Sequence, residues 1–305
     1  MSAWEFLLPR GRRLQVGARP LILGILNATP DSFSDGGAHK SAAEAVQAGL
    51  RMISEGADGI DLGGESTRPG ALPVPPETQL ERILPILQGL RAKTDAPISV
   101  DTQSAAVADA AFEAGADILN DVSACRDPGM RDVLLRRPVP VILMHMKGTP
   151  RDMQLSPDYP EGVVPTVRAF LAERLALLEE WGIDRSRTIL DPGLGFGKRL
   201  QHNFDLIRSI DALARLGRPI LIGASRKGFM AKALSQGVSP ADPGAADVAE
   251  RYFGDRDLGT LIVNAFALCR GCHLLRVHNV KYASALVALF TRLLEADRSC
   301  GRPQA

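Results

Sequence analysis

The segment Leu21–Asn27, LILGILN, is a short apolar run that ends on a polar residue. Seven similar apolar runs follow it along the chain. They are Gly59–Leu62, Ile98–Val100, Asp117–Leu119, Val139–Met144, Thr188–Leu190, Pro219–Ile222 and His273–Val277. Short continuous apolar runs are typical of strands that are buried on both faces, as in a parallel sheet. The sequence therefore predicts eight parallel strands.

Longer amphipathic segments separate these runs and predict helices. They are Ser41–Glu55, Glu77–Thr94, Ser104–Ala114, Thr166–Trp181, Gln201–Leu216 and Gly244–Arg270. Ser41 and Glu44 have the spacing of a capping box. Glycines such as Gly56 and Gly115 come just after helical segments, where a left-handed C-cap suits glycine.

Alternating strands and helices of this number predict a (β/α)8 barrel, an α/β fold. We expect one domain over residues 1–305, with the barrel at about 21–297. Residues 1–20 are expected to form a short hairpin that turns at Pro9-Arg10-Gly11 and closes the barrel bottom. A doubly wound open sheet is the weaker alternative, because no GxGxxG motif follows the first run.

The composition excludes several classes of protein. The 305 residues include 36 Lys and Arg against 35 Asp and Glu, and this balance argues against nucleic-acid binding as the main function. No apolar run is long enough to span a bilayer, and no signal peptide is present. Four cysteines are too few for a disulfide framework. We therefore expect a soluble, cytoplasmic protein without a nucleic-acid or membrane partner. Cys269 and Cys272 have CxxC spacing but lack a second pair, so we interpret them as buried thiols at a helix end.

Polar residues stand at or just after the end of every apolar run. In order they are Asn27, Asp61, Asp101, Asn120–Asp121, His145, Asp191, Ser225–Lys227 and Arg276–His278. Any single one could simply cap a helix. In a barrel of this type, however, the C-terminal strand ends meet at one rim and carry the chemistry. The glycine-bounded segments 63–70 and 223–228 and the loop 27–37 suit an anionic ligand and mobile lids.

Eight sequence motifs, in this order, resemble those of the dihydropteroate synthases of folate biosynthesis. They are GILNATPDSFSDGG, IDLGGESTRPGA, SVDT, ILND, MHMKGTPRDMQ, DPGLGFGK, GASRKGF and RVH, between about Pro20 and Val280. The resemblance implies a (β/α)8 barrel that is usually a homodimer. It also implies a Mg²⁺-dependent transferase that joins 4-aminobenzoate to 6-hydroxymethyl-7,8-dihydropterin diphosphate and releases diphosphate.

The resemblance further implies a role for individual residues. The pterin would be bound by Asp101, Asn120, Met144, Asp191 and Lys227. The 4-aminobenzoate would be bound by Thr67, Arg68, Phe196 and Ser225, with Lys227 nearby, and the diphosphate by Asn27, Arg68, Arg276 and His278. Asn27 would also ligate Mg²⁺ through its carbonyl oxygen. The catalytic groups would be Asp101, Lys227, Arg276 and His278.

Two other functions stay open at this point. A pterin-dependent methyltransferase of the corrinoid-linked type shares the barrel and the pterin-binding Asp and Asn. It would not need the diphosphate residues within STRPG, SRK and RVH, so these motifs argue against it. A paralogue with altered or no activity would keep the same pocket. Four positions, Ala28, Thr78, Gly228 and Asn279, depart from the usual family pattern, and none belongs to the implied site.

Overall fold

The computed structural model describes residues 3–28, 42–235 and 256–299. Most of the loop 27–37, Ser41 of the predicted capping box and the first part of the helix predicted from Gly244 lie outside the described residues.

Eight parallel strands form the centre of the molecule, as predicted. Two further strands precede them: β1 (Trp4–Leu7) and β2 (Arg13–Val16). The eight are β3 (Leu21–Asn27), β4 (Gly59–Gly63), β5 (Ile98–Asp101), β6 (Ile118–Asp121), β7 (Val141–Met144), β8 (Thr188–Asp191), β9 (Leu221–Ile222) and β10 (Leu274–Val277). Their order in the sheet is β8-β7-β6-β5-β4-β3-β10-β9. A bridge between Leu190 and Ile220 brings the two ends of the sheet together, so the predicted barrel is confirmed.

Helices surround the strands and bury their outward side chains. Those described are α1 (Ala42–Ser54), α2 (Pro76–Arg91), α3 (Ala105–Glu113), α4 (Met130–Arg136), α5 (Val163–Glu180), α6 (Leu200–Arg208), α7 (Ile210–Ala214), α8 (Gly228–Ser235), α9 (Arg256–Cys269) and α10 (Val280–Ser299). The main apolar core lies between this layer and the barrel. The predicted C-caps are confirmed, since Gly56 and Gly115 follow their helices at φ 105° and 107°.

The hairpin predicted for residues 1–20 closes the bottom of the barrel. β1 and β2 pair antiparallel, with Phe6 opposite Leu14. The buried side chains of the hairpin pack against the first residues of the barrel strands, among them Leu21 and Leu274. Burial of this apolar surface holds the hairpin in place.

A buried carboxylate adds a polar link between the hairpin and the barrel. Asp117 is fully buried and accepts hydrogen bonds from Arg10 (2.7 Å), Arg12 and Arg91 (2.6 Å). Its Oδ2 also accepts from the backbone N–H of Ile98 at 2.9 Å. One carboxylate therefore joins the hairpin turn, α2 and the start of β5.

The structure corrects three details of the sequence-based description. The segment predicted as one helix from Gln201 breaks at Ser209 (φ −111°, ψ 26°), and α7 follows with Ile210 and Leu213 buried. Helices α4 and α10 were not predicted, whereas α8 begins at Gly228, where a helix was expected to follow the segment 223–228. Cys272 is buried, but Cys269 at the end of α9 is exposed, so only one thiol of the CxxC pair is buried. Within the described residues, no helix is long and apolar enough to cross a membrane.

Candidate active site

Strand register gathers the predicted residues at the C-terminal rim of the barrel. Asn27 lies opposite Gly63, Gly63 opposite Asp101, and Asp101 opposite Asn120. On the other side of the barrel, β7 and β8 place Met144 opposite Asp191. These positions lie at or next to a strand end, so their side chains share one end of the barrel.

The centre of this rim is a guanidinium held between two carboxylates. Arg276 Nη2 donates to Asp101 Oδ2 at 2.6 Å, and Arg276 Nε donates to Asp61 Oδ2. Asn120 Nδ2 donates to the same Asp61 oxygen at 3.0 Å. Asp61 thereby joins two residues of the implied site, although sequence reasoning gave it no role. Its place in the series of polar strand ends was the available signal.

Burial dominates the electrostatics of this cluster. Burial raises the pKa of Asp101 to about 7, although the charge of Arg276 opposes the shift. Burial disfavours the charge on Arg276, but Asp61 and Asp101 outweigh it and raise the pKa of Arg276 above its ordinary value. The guanidinium is therefore a permanent cation at the rim. Within the described residues, the second oxygen of Asp61, Oδ1, is buried without a hydrogen-bond partner.

A second charged pair, Asp191 and Lys227, lies beside the first cluster. Burial raises the pKa of Asp191 against the attraction of Lys227, and burial lowers the pKa of Lys227 to about 8. Gly223 lies between the two clusters. A Cβ on this glycine would be 3.8 Å from Asp191 Oδ2 and 3.9 Å from the Arg276 side chain. Both clusters therefore border the same space.

Apolar side chains line one wall of the same rim. Val122, Met144, Met146 and Met153 are buried in one cluster, and Phe196 packs against it. The Lys227 ammonium lies 4.4 Å from the centre of the Phe196 ring, a distance at which a cation is attracted to the ring face. Of these residues, sequence reasoning named only Met144 and Phe196. The other three carry no signal beyond their apolar character.

His278 is bound to Ser225 at the rim. Ser225 Oγ lies 2.8 Å from His278 Nδ1 and accepts the backbone N–H of His278 at 3.1 Å. Since the oxygen already accepts that N–H, its proton is free to donate to Nδ1, which leaves Nε2–H as the outward donor. Burial, with the nearby charges of Arg226 and Arg276, lowers the pKa of His278 to about 3. His278 is therefore neutral at pH 7.

The residues of the segment 63–70 lie further out. Arg68 is exposed and Thr67 is partly exposed. The Arg68 charge contributes to the shift at His278, which puts its guanidinium near the diphosphate residues. Gly70 N donates to Pro150 O at 2.9 Å and links this segment to the loop after β7. Ser225 is 7% exposed, and α8 begins three residues after it, at Gly228.

Asn27 offers an oxygen at the rim that suits a hard cation. A Cβ on Gly63 would come within 3.8 Å of the Asn27 amide oxygen, so glycine at this position keeps the space beside the amide open. Within the described residues, no group of three His, Cys, Asp or Glu side chains is arranged to hold a metal ion. A cation at the Asn27 amide oxygen would therefore have to take its other ligands from bound substrate or water.

Comparison with known proteins gives one consistent result. A family model described as pterin binding enzyme matches residues 23–278. The dihydropteroate synthase of Synechocystis sp. is 41% identical over 276 residues, which cover 90% of each chain. The Xanthomonas albilineans dihydropteroate synthase solved with 4-aminobenzoic acid is 40% identical, with a TM-score of 0.82 and 96% and 99% of the two chains covered. A structure of the Xanthomonas enzyme with 7,8-dihydropteroate is 35% identical, with a TM-score of 0.77 and coverages of 95% and 98%.

Proposed function

The chain belongs to the pterin binding enzymes, and we propose that it is the transferase that condenses 6-hydroxymethyl-7,8-dihydropterin diphosphate with 4-aminobenzoate. The products are 7,8-dihydropteroate and diphosphate. The observation that carries this proposal is the cation Arg276 bound by Asp61 and Asp101 next to the pair Asp191 and Lys227. One space is thus bordered by groups suited to a pterin and by groups suited to an anionic leaving group.

The pterin ring is recognised by its hydrogen-bonding edge. A pterin presents N–H donors beside a carbonyl oxygen and ring nitrogens. Asp191 accepts from the donors, Asn120 can pair with either kind of group, and the Lys227 ammonium donates to the acceptors. The buried Oδ1 of Asp61 is a further acceptor for a pterin N–H. Met144 provides an apolar wall for the ring.

The diphosphate is held by cations and neutral donors. Arg276 and Arg68 supply guanidinium groups that match phosphate oxygens, and neutral His278 donates from Nε2. Asn27 would hold Mg²⁺ through its amide oxygen. When bound, Mg²⁺ neutralises part of the negative charge that grows on the leaving diphosphate.

Bond breaking leaves positive charge on the pterin methylene. The C–O bond breaks with its electron pair going to diphosphate, and the electron-rich dihydropterin ring delocalises the positive charge. The Asp101 carboxylate stabilises that charge electrostatically. Lys227 and His278 complete the catalytic set with Arg276, because they hold the pterin and the leaving group while the bond breaks.

The second substrate then attacks as a neutral amine. Phe196 packs on the ring of 4-aminobenzoate, and Thr67 and Arg68 hold its carboxylate end. Ser225 lies beside that carboxylate near the start of α8, while its hydroxyl stays bound to His278. The amine nitrogen forms the new C–N bond with its lone pair and afterwards loses one proton. An arylamine is already neutral at pH 7, so this step needs no strong general base. A methyltransferase would not need Arg276 and His278 at a diphosphate site, so we prefer the hypothesis of a synthase.

We propose a homodimer that acts in the cytoplasm. An apolar stripe on α9 and α10 supports the dimer, because its side chains are more exposed than is usual for large apolar residues. The stripe consists of Leu258, Ile262, Phe266, Tyr282, Leu289 and Leu293. The free thiols of Cys125, Cys269 and Cys272 support a reducing compartment.

Calorimetric titration of two variants tests the proposed division of the site. Asp191→Asn should weaken binding of the bare 6-hydroxymethyl-dihydropterin by about 10-fold to 100-fold, because a charged hydrogen bond is lost. Arg276→Met should weaken binding of the pterin diphosphate by a similar factor and binding of the bare pterin several-fold less. Unchanged pterin affinity in the first variant, or equal losses for both ligands in the second, would contradict the division.

A further inference from the structure

The loop Gly193–Gly197, which follows β8, is held at four consecutive carbonyl groups. We call it the platform loop, because it carries Phe196. The carbonyl oxygens of Leu194, Gly195, Phe196 and Gly197 accept in turn from Lys227 Nζ, Gln154 Nε2 (2.7 Å), Lys198 Nζ (3.0 Å) and Tyr159 Oη (2.8 Å). A loop bound in this way has few alternative conformations, so the position of the Phe196 ring is fixed by these partners.

One of these partners, Lys198, has a buried amine at the rim. This amine has no role in the reaction described above. Its residue is 4% exposed. Its Nζ lies 3.0 Å from His145 Nδ1 and 3.3 Å from His145 O, besides its contact with Phe196 O. Within the described residues, no carboxylate forms an ion pair with it. Burial of an amine without an ion-pair partner costs free energy, so its polar contacts have to stabilise it.

The amine joins two rim loops that would otherwise be separate. His145 follows β7, and Phe196 belongs to the platform loop after β8. The backbones already touch here, since a Cβ on Gly193 would lie only 1.9 Å from His145 O. Lys198 donates to one carbonyl on each loop, and its third contact is the His145 ring. The position of the Phe196 backbone is therefore tied to β7 as well as to β8.

The pKa shifts of Lys198 and His145 are consistent with a structural role for their hydrogen bonds. Burial lowers the pKa of Lys198 well below its ordinary value, and burial also lowers the pKa of His145, to about 2. The His145 ring is therefore neutral at pH 7, and the charge of Asp191 opposes the shift at Lys198.

We propose that Lys198, oriented by His145, is a positioning residue that fixes the Phe196 ring against the aromatic ring of 4-aminobenzoate. This inference rests on the proposed function, because it assumes that Phe196 meets that substrate. It makes Lys198 and His145 determinants of amine affinity, although neither touches the reacting atoms. Neither Asp101 nor Asn120 contacts the pair in the described structure, whereas Asp191 accepts the backbone N–H of His145 at 3.0 Å through its carbonyl oxygen and acts on Lys198 through its charge.

The test compares Lys198→Met with Lys147→Met in steady-state kinetics. Methionine has nearly the length of lysine but no donor. Lys147 lies on the neighbouring loop, where its ammonium binds Asp158 O and lies 5.1 Å from the Tyr159 ring. We expect Lys198→Met to raise KM for 4-aminobenzoate by about tenfold, because the Phe196 ring is no longer fixed in the position that packs on the substrate. KM for the pterin diphosphate should stay within about twofold in both variants.

A second pair of variants tests the role of His145. It also keeps the inference testable if Lys198→Met does not fold. His145→Asn keeps a hydrogen-bonding group at the place of Nδ1, whereas His145→Leu does not. Asn should restore most of the 4-aminobenzoate affinity that Leu loses. A merely structural role would lower the melting temperature and change both KM values alike.

The outcomes separate this inference from the proposed function. If the wild-type protein forms no dihydropteroate, the proposed function fails. If the wild type is active and Lys198→Met matches Lys147→Met, the positioning role is wrong. Equal KM values for 4-aminobenzoate in His145→Asn and His145→Leu would show that His145 does not orient Lys198.

Discussion

At the scale of single residues, burial outweighs pairing at Lys227, whereas pairing with Asp61 and Asp101 outweighs burial at Arg276. Lys227 has carboxylate neighbours in Asp191 and Asp101, yet burial still lowers its pKa to about 8. His278 is held neutral by burial and by the positive charges around it. The site therefore combines one permanent cation, Arg276, with a lysine that titrates close to physiological pH.

The first prediction concerns the alkaline side of the pH profile. Above pH 8 the Lys227 ammonium is lost, so kcat/KM should fall with the release of one proton. In the same range the folded protein binds fewer protons than the unfolded chain, so Lys227 makes the free energy of unfolding rise with pH. Activity and urea unfolding measured together from pH 6 to about 10 distinguish a site effect from unfolding.

Lys227→Met serves as the control for this prediction. It should have low activity at every pH and should lack the alkaline decline. A wild-type profile that stays level above pH 8, or a decline retained in the variant, would contradict the assignment.

Single-residue patterns predicted many of the residues that the fold gathers at the rim, but not the contacts between them. Asp101, Asn120 and Asp191 were found because each directly ends an apolar run. Asp61 lay in the same series, but only the fold brings it to Arg276, which is 215 residues away in the chain. The contact between Lys198 and His145 spans 53 residues and has no local signal. Strand adjacency decides such contacts, and one-dimensional spacing does not reveal it.

At the scale of elements, the hairpin and the barrel bottom depend on one buried carboxylate. Asp117 faces three guanidinium groups, from Arg10, Arg12 and Arg91. Removal of its charge would leave these cations close together with no compensating anion. The cluster lies at the opposite end of the strands from the active-site rim.

The second prediction is that Asp117→Asn lowers the free energy of unfolding by about 3 kcal/mol or more, as expected when a buried ion pair loses one partner. Asp109→Asn is the matched control, because Asp109 pairs with Arg136 and Arg137 at the surface. It should cost less than about 1 kcal/mol. Urea denaturation measures both, and activity at 25 °C should be unchanged. A smaller loss for Asp117→Asn than for the control would refute this view of the barrel bottom.

Elements were predicted best where the pattern was local. Each apolar run became a strand because a buried parallel strand needs continuous apolar residues. The break at Ser209 between α6 and α7 has no proline or glycine to signal it. The buried residues on its two sides, Leu206, Ile207, Ile210 and Leu213, keep the spacing of one helix face, so the apolar pattern gives no sign of the break.

At the scale of the whole molecule, the two ends of the barrel have different roles. The hairpin closes the bottom, and the polar strand ends form the site at the top. The extent of a single domain from residue 1 to 305 stays a prediction, as does the homodimer. The apolar stripe on α9 and α10 gives that dimer a specific surface.

The third prediction is that Ile262→Glu in this stripe converts the dimer into a monomer. Ile262 is 62% exposed, so a glutamate is tolerated in the monomer but is buried unpaired in a dimer that uses this face. Sedimentation equilibrium measures the mass. Leu155→Glu is the control, because Leu155 is 84% exposed and lies away from the stripe. Equal dimerisation of the two variants would show that another surface forms the dimer.

The most direct test of the central claim is diphosphate release from 6-hydroxymethyl-7,8-dihydropterin diphosphate, measured with and without 4-aminobenzoate. Diphosphate should form together with an equal amount of 7,8-dihydropteroate when the amine is present. In its absence, release should be far slower. No release in the presence of both substrates and Mg²⁺, or diphosphate released without dihydropteroate, would contradict the account.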